Sequence, residues 1–275
     1  MYNILCFGDS NTFGTNPSGG RWARTVRWTG LLQDYLGSDY YLIEEGLGGR
    51  NTLFDDPLEP GRNGLALLPV SLKSHKPLDL VILSLGTNDC KVHFNANARV
   101  IAKGMETLVK TILQFPYGEG YPLPKVLVIS PIHIGADIEH SPFVSFDQSS
   151  YRKSLALAPL FEQVAQSYGC LFLDASLVAS PSTIDQLHMD AQGHENLAKA
   201  LVPILQQLFG DERQLFLEEE LPESESEQEI ETLEIPSAEE ESITSLQIAP
   251  IEPQGKKAHR GLTFRIPGFS KKKGD

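Results

Sequence analysis

Five short apolar runs, each of strand length, are spaced along the chain and constrain its fold more than any other feature. They lie at residues 3–7, 41–43, 80–85, 125–129 and, more weakly, 171–173. The run "LVILSL" at 80–85 lacks the apolar–polar alternation of a strand with one face in water. Strands that are apolar on both faces are typical of parallel sheets covered by helices on each side.

Longer segments with apolar residues at helical spacing lie between and after these runs. They read VRWTGLLQDYLG, ARVIAKGMETLVKTILQF, YRKSLALAPLFEQVAQSYG and GHENLAKALVPILQQLFG, and all but the second end at a glycine, a common helix stop. Strands that alternate with helices of this length form βαβ units. We therefore predict an α/β fold, a three-layer α/β/α sandwich with a five-stranded, mostly parallel sheet.

Charge divides the chain into three parts. Residues 1–210 have the composition of a globular domain, whereas residues 211–255 hold 15 acidic and one basic residue, and residues 256–275 hold seven basic and one acidic. We predict that 211–255 is an acidic disordered linker, because it has too few apolar residues to form a core. The basic C-terminal tail at 256–275 either folds back on this linker or contacts an anionic partner or surface.

Composition also excludes several classes of protein. A net charge of −13 argues against nucleic-acid binding, and no run is long enough to be a transmembrane segment. Without a signal peptide we expect a cytoplasmic protein, with Cys6, Cys90 and Cys170 reduced. Phosphate-binding glycine motifs and a mid-chain Gly-x-Ser-x-Gly elbow are lacking, and we predict no cofactor and no metal.

Polar clusters follow the first three predicted strands, at 8–10, 46–51 and 86–89, where the crevice of an open α/β sheet lies. Ser10 is a candidate nucleophile, but a serine hydroxyl needs a positioned base and a group that orients this base. Asp185 and His188 in "DQLHMD" offer both. His194 is a competing base, although its place at the start of a helix favours a structural role.

An oxyanion formed by attack of Ser10 would need hydrogen-bond donors. The candidates are the backbone N–H of Ser10, the N–H of Gly49 and the side-chain amide of Asn88. Taken singly, the glycine and the asparagine fit an ordinary turn equally well. Asp9 and Asn11, on either side of Ser10, are expected to play supporting parts.

The blocks "GDSN", "GLGGR", "GTND" and "DQLH", in this order, resemble the GDSL-type or SGNH hydrolase superfamily, and the likeness spans about residues 3–208. The closest branch contains arylesterases and acyltransferases. This resemblance implies a flavodoxin-like SGNH hydrolase fold, the catalytic residues Ser10, Asp185 and His188, and an oxyanion hole of Ser10, Gly49 and Asn88. Two departures are Asn11, where the family name has Leu, and Gly48, which leaves Gly48 and Gly49 as alternatives for the hole; we prefer Gly49.

The predicted function is a serine esterase that acts through an acyl-enzyme on small aryl or short-chain acyl esters, with acyl transfer to alcohols left open. Alternatives are a lysophospholipase or thioesterase, a carbohydrate deacetylating esterase, and a non-catalytic binding module. Candidate cleft walls are Phe13, Trp22, Phe54 and Phe143. The branch commonly assembles, so a homo-oligomer is one expected state.

Overall fold

A five-stranded, all-parallel sheet forms the centre of the computed structural model, which describes residues 1–210. Its strands are β1 (Tyr2–Gly8), β2 (Tyr40–Gly46), β3 (Leu80–Ser84), β4 (Lys125–Ser130) and β5 (Leu171–Asp174). Their order across the sheet is β2-β1-β3-β4-β5. Four strands contain the apolar runs predicted for them, and β3 ends at Ser84, one residue before the end of its predicted run. The α/β fold class and the five-stranded sheet are therefore confirmed.

Helices cover both faces of the sheet. They are α1 (Ser10–Phe13), α2 (Trp28–Leu36), α3 (Gly64–His75), α4 (Ala98–Gln114), α5 (Gln148–Leu155), α6 (Leu157–Ser167) and α7 (Ala191–Phe209). α2 and α7 pack together on one face, whereas α4 packs with α3 and α6 on the other. The result is the predicted three-layer sandwich, with one apolar core between each helical layer and the sheet.

Three helical features differ from the sequence prediction. Neither α1 nor α3 was predicted; α1 is a single turn, and α3 contains Pro69, which interrupts the expected pattern. The single helix predicted from residue 151 is two helices that meet at Ala156. Pro159 explains the break, since it has no N–H to donate but is tolerated in the first turn of a new helix.

Several sequence predictions are only partly addressed by the described residues. The acidic linker at 211–255 and the basic tail at 256–275 lie outside the described residues. Cys6, Cys90 and Cys170 are buried and unpaired. None of the helices within 1–210 combines the length and apolarity needed to cross a membrane. Cytoplasmic location and oligomeric state stay predictions.

The carboxyl ends of the first three strands lie side by side. Gly8 at the end of β1 is in register with Gly46 of β2 on one side and with Ser84 of β3 on the other. The chain runs from β1 to β2 and then crosses to β3, so the strand order reverses here. This is the position at which open α/β sheets form their binding crevice.

Candidate active site

Ser10 is the first residue of α1, directly beyond the end of β1. Asp9 caps this turn by accepting a hydrogen bond from the N–H of Asn11 at 2.9 Å. A β-carbon at Gly8 would lie 2.0 Å from Oγ1 of Thr12, so only glycine lets the helix fold back this tightly. The strand end and the turn therefore hold Ser10, buried except for 6% of its surface, at the edge of the crevice.

The carboxyl group of Asp9 is buried behind this turn. Burial raises its pKa to about 6, against the opposing effects of the Asn11 N–H and of the charges of His188 and Arg50. Its contact with the backbone of Asn11 agrees with the predicted role in ordering the turn.

His188 and Asp185 form a buried hydrogen-bonded pair. Nδ1 of His188 lies 2.6 Å from Oδ2 of Asp185, while Oδ1 of Asp185 accepts the N–H groups of Leu187 at 3.0 Å and of His188 at 2.9 Å. Burial opposes the ionisation of Asp185. The hydrogen bonds from the side chain and backbone of His188 outweigh the effect of burial, so the pKa of Asp185 is lowered. A carboxylate can only accept, so Nδ1 carries the proton and Nε2 can act as a base.

An unusual backbone conformation shapes this pair. Gln186 adopts φ of 63°, in the left-handed region that side chains other than glycine rarely occupy. Its carbonyl accepts the N–H of Gly135 at 2.7 Å, and its side-chain oxygen accepts the N–H of Asp137 at 3.3 Å. The loop after β4 thus stabilises the bend between Asp185 and His188. Nothing in the local sequence around Gln186 indicated this role.

The base loop, residues 185–189, is bonded to the turn that carries Ser10. The side chain of Asn11 hydrogen-bonds to the backbone of Leu187 and of Met189, on both sides of His188. Within residues 1–210 no hydrogen bond joins the Ser10 hydroxyl to His188. Such bonds are often long without substrate and shorten when it binds.

Arg50 connects the three strand ends. Its Nη1 donates to the carbonyl of Gly8 at 3.0 Å and to that of Glu45, and its own carbonyl accepts Nδ2 of Asn88 at 3.2 Å. Burial lowers the pKa of its guanidinium to about 10, and the group stacks 4.0 Å from the ring centroid of Phe7. The amide of Asn88 keeps a second hydrogen for a ligand. Sequence analysis missed Arg50, because its partners come from separate segments.

The backbone at Gly49 would tolerate a side chain less well than the backbone at Gly48. Its φ is 78°, and a β-carbon there would lie 2.8 Å from Oε2 of Glu59, whereas a β-carbon at Gly48 would meet nothing. Gly49 also directly precedes Arg50, which holds Asn88. The choice between Gly49 and Gly48 for the oxyanion hole stays a prediction.

His194 has a different environment from His188. It is fully buried in α7, where its Nδ1 accepts the N–H of Trp28 at 3.3 Å. Burial lowers its pKa to about 4. This enclosed, neutral imidazole joins α7 to α2, which supports the structural role expected from its position.

Two of the predicted cleft walls lie against the base loop. The ring of Phe143 stands edge-on to His188 with 5.6 Å between centroids, and Nε1 of Trp22 donates to the carbonyl of Met189 at 3.4 Å. Phe54 stacks on Phe94, and Phe13 lies beneath the guanidinium of Arg21. The apolar surface near His188 is therefore aromatic. Among residues 1–210 no three His, Cys, Asp or Glu side chains are grouped to hold a metal.

Comparison with known proteins identifies the family. The model of the GDSL-like lipase/acylhydrolase family matches residues 6–195. The chain belongs to this family and is a hydrolase, as the sequence resemblance predicted.

Solved structures agree with this assignment. An aryl esterase of M. smegmatis is 40% identical, with 76% of this chain and 100% of that chain covered and a TM-score of 0.72. A carbohydrate acetylesterase from Sinorhizobium meliloti is 38% identical, with the same coverage and a TM-score of 0.72. A lipase/acylhydrolase from Enterococcus faecalis, 18% identical, covers 76% of this chain and 97% of its own with a TM-score of 0.55, and shares the fold alone. Among curated proteins no match was found.

Proposed function

We propose that the protein is a serine esterase in which Ser10 is the nucleophile, His188 the general base and Asp185 the residue that orients the base. The observation that carries this proposal is the buried 2.6 Å bond between Asp185 and His188, in a loop bonded through Asn11 to the turn of Ser10. Family membership supports it, since this is an acylhydrolase family.

In the first half-reaction, Nε2 of His188 takes the hydroxyl proton as Oγ of Ser10 attacks the ester carbonyl carbon. The tetrahedral intermediate collapses, the bond to the alcohol oxygen breaks, and His188 returns the proton to the departing alcohol. Asp185 stabilises the imidazolium and keeps the ring in the productive tautomer. Ser10 is left as an acyl ester.

Water enters in the second half-reaction. His188 removes a proton from the water as the water oxygen attacks the acyl carbon. The tetrahedral intermediate then collapses, the bond between Oγ of Ser10 and the acyl carbon breaks, His188 returns the proton to Oγ, and the carboxylic acid leaves. An alcohol in place of water would give a new ester by the same steps. The balance between hydrolysis and acyl transfer depends on the competing acceptors.

The oxyanion would be bound by the N–H groups of Ser10 and Gly49 and by the Asn88 amide. Ser10 begins α1, so its N–H has no partner within the helix. Asn88 is 4% exposed and held by the carbonyl of Arg50, which supports a donor fixed before substrate binds. Such preorganised donors act strongly because they need not reorient during the reaction.

Small aryl or short-chain acyl esters are the proposed substrates. The aromatic walls at Phe143 and Trp22 and the similarity to an aryl esterase support this choice. A second candidate is an acetylated carbohydrate, supported by the similarity to a carbohydrate acetylesterase. Initial rates on phenyl acetate, on p-nitrophenyl esters of increasing acyl length and on acetylated xylose, with and without added alcohol, distinguish these candidates.

The intact protein is expected to hydrolyse p-nitrophenyl acetate and to be inactivated by a fluorophosphonate. The phosphonyl group replaces the Ser10 hydroxyl proton, with loss of fluoride, because only an activated serine attacks this reagent. Peptide mass spectrometry identifies the residue that carries the phosphonyl group. Modification of another serine in parallel with inactivation would contradict the proposed nucleophile.

Asn88→Ala is expected to lower kcat by about 10²- to 10³-fold, as loss of one oxyanion donor does elsewhere. KM should change little, because the donor acts mainly in the transition state. Steady-state kinetics on p-nitrophenyl acetate measures both constants. Asn97→Ala is the matched control, since it removes an exposed asparagine side chain that only caps α4 by accepting the N–H of Val100, and it should leave kcat unchanged. A change in KM alone would argue against the oxyanion role.

A further inference from the structure

Asn11 makes an unusual set of contacts for a residue beside a candidate nucleophile. Asn11 is 7% exposed, its Oδ1 accepts the N–H of Met189 at 2.9 Å, and its Nδ2 donates to the carbonyl of Leu187 at 3.4 Å. Both partners are more than 170 residues away in the sequence. One amide group therefore bonds to the peptide groups on either side of His188.

These two bonds complete the hydrogen bonding of the backbone around His188. The N–H groups of Leu187 and His188 bond to Asp185, and the carbonyl of His188 accepts the N–H of Ser182 at 2.7 Å. The carbonyl of Met189 accepts Nε1 of Trp22. Every N–H and C=O from 187 to 189 thus has a partner, and Asn11 supplies two of them.

The amide of asparagine suits this position because it offers a donor and an acceptor on one short side chain. Leucine, the residue in the family name, offers neither, and aspartate offers only acceptors. The backbone of Asn11 is itself held by Asp9 through the 2.9 Å bond to its N–H. The element that carries Ser10 is therefore connected by side-chain hydrogen bonds to the loop that carries His188.

We propose that Asn11 is a positioning residue that sets the distance and direction between Oγ of Ser10 and Nε2 of His188. This inference rests on the proposed function of these two residues. Loss of the amide would leave the Asp185–His188 bond in place and let the loop shift relative to Ser10. Misplacement by about 1 Å can cost about 10²-fold in rate.

The test compares Asn11→Leu and Asn11→Ala with the intact chain. Hydrolysis of p-nitrophenyl acetate by either variant should show kcat lowered by about 10- to 100-fold with KM within about twofold, as expected for an altered reacting geometry. Asn11→Ala adds no bulk, so agreement between the two variants excludes a steric clash as the cause. An unchanged kcat in a folded variant would overturn the proposal.

Asn196→Leu is a matched control. The Asn196 side chain also uses both ends, with Nδ2 donating to the carbonyl of Val178 at 3.1 Å and Oδ1 accepting from Gln192 at 3.0 Å, but neither partner belongs to the base loop or to the turn of Ser10. Thermal unfolding reports the loss of stability in both variants. Equal losses of kcat in Asn196→Leu and Asn11→Leu would mean that the effect is one of general stability, and would overturn the proposal.

Two further measurements separate this inference from the proposed function. In a Ser10→Ala background, Asn11→Leu should lower the residual rate by less than about twofold, because the pair it positions is already incomplete. Full activity of Ser10→Ala alone would refute the proposed function.

Hydrogen exchange of the peptide that spans 185–189 does not depend on activity. It should be at least about tenfold faster in Asn11→Leu, because local opening exposes its N–H groups. Asn196→Leu should leave it unchanged. Unchanged exchange in Asn11→Leu would overturn the positioning role of Asn11, whatever the activity of the Ser10 variant.

Discussion

Ser10→Ala is expected to lower kcat/KM for p-nitrophenyl acetate by about 10⁴- to 10⁶-fold, as removal of a triad nucleophile does in other serine hydrolases. Alanine has no oxygen to attack the ester, so no acyl-enzyme forms. Residual catalysis would come from binding and from the oxyanion donors. The substitution removes one oxygen from a small side chain, so circular dichroism should show an unchanged fold.

Ser130→Ala is the matched control for this experiment. Ser130 ends β4, is buried, and its Oγ has no hydrogen-bond partner within residues 1–210. It is a serine at a strand end without a base, so its loss should leave kcat/KM within about twofold because nothing activates it. Activity of Ser10→Ala within tenfold of the intact enzyme would refute the proposed mechanism.

His188→Ala and His194→Asn are expected to differ strongly in activity. His188→Ala should lower kcat/KM by about 10⁴-fold or more, since Ser10 then lacks its base. His194→Asn should keep most of the activity, because the imidazole is fully enclosed between α7 and α2. Steady-state kinetics on both variants measures the difference. Loss of activity in the His194 variant alone would reverse the assignment of the base.

The His194 variant should also change how stability depends on pH. Burial lowers the pKa of His194 to about 4, so between about pH 6.5 and 4 the unfolded chain binds more protons at this site than the folded chain. This site therefore contributes stability at neutral pH that is lost as the pH falls through this window. The pKa change corresponds to about 3 kcal/mol.

Asp9 acts in the opposite sense, because its raised pKa costs stability as the pH rises from about 4 to about 6. Urea unfolding of the intact chain and of His194→Asn at several pH values isolates the histidine contribution. The difference in unfolding free energy between the two proteins should shrink as the pH falls from 7 to 4. A constant difference would show that His194 is not buried in its neutral form.

The sheet was predictable from sequence because it depends on local patterns, whereas the candidate catalytic residues Ser10, Asp185 and His188 were grouped by their resemblance to a known family and stay a prediction. Apolar runs located the strands, and parallel strands necessarily bring their carboxyl ends to one edge, so Ser10, Gly49 and Asn88 could be grouped before any coordinates were known. The break between α5 and α6 near Ala156 could have been predicted from Pro159. Helix α3 could not have been predicted, because Pro69 lies inside the helix.

The supporting residues could not be predicted, because their roles depend on contacts between distant segments. Arg50 follows a glycine turn, a position typical of surface residues. Its side chain nevertheless donates hydrogen bonds to the carbonyl oxygens of two strands. Gln186 has an ordinary side chain in a strained backbone conformation. Such features follow from tertiary packing, which no spacing rule encodes.

The distance along the chain between Ser10 and the base loop has a consequence for synthesis. The nucleophile and the proposed oxyanion donors are complete by residue 88, but Asp185 and His188 follow nearly a hundred residues later. A nascent chain that contains only its first four strands would therefore have the candidate nucleophile but not yet its base. Under the proposed mechanism, esterase turnover would begin only when the segment after β5 docks against Asn11, so the onset of activity during refolding would report the formation of this contact.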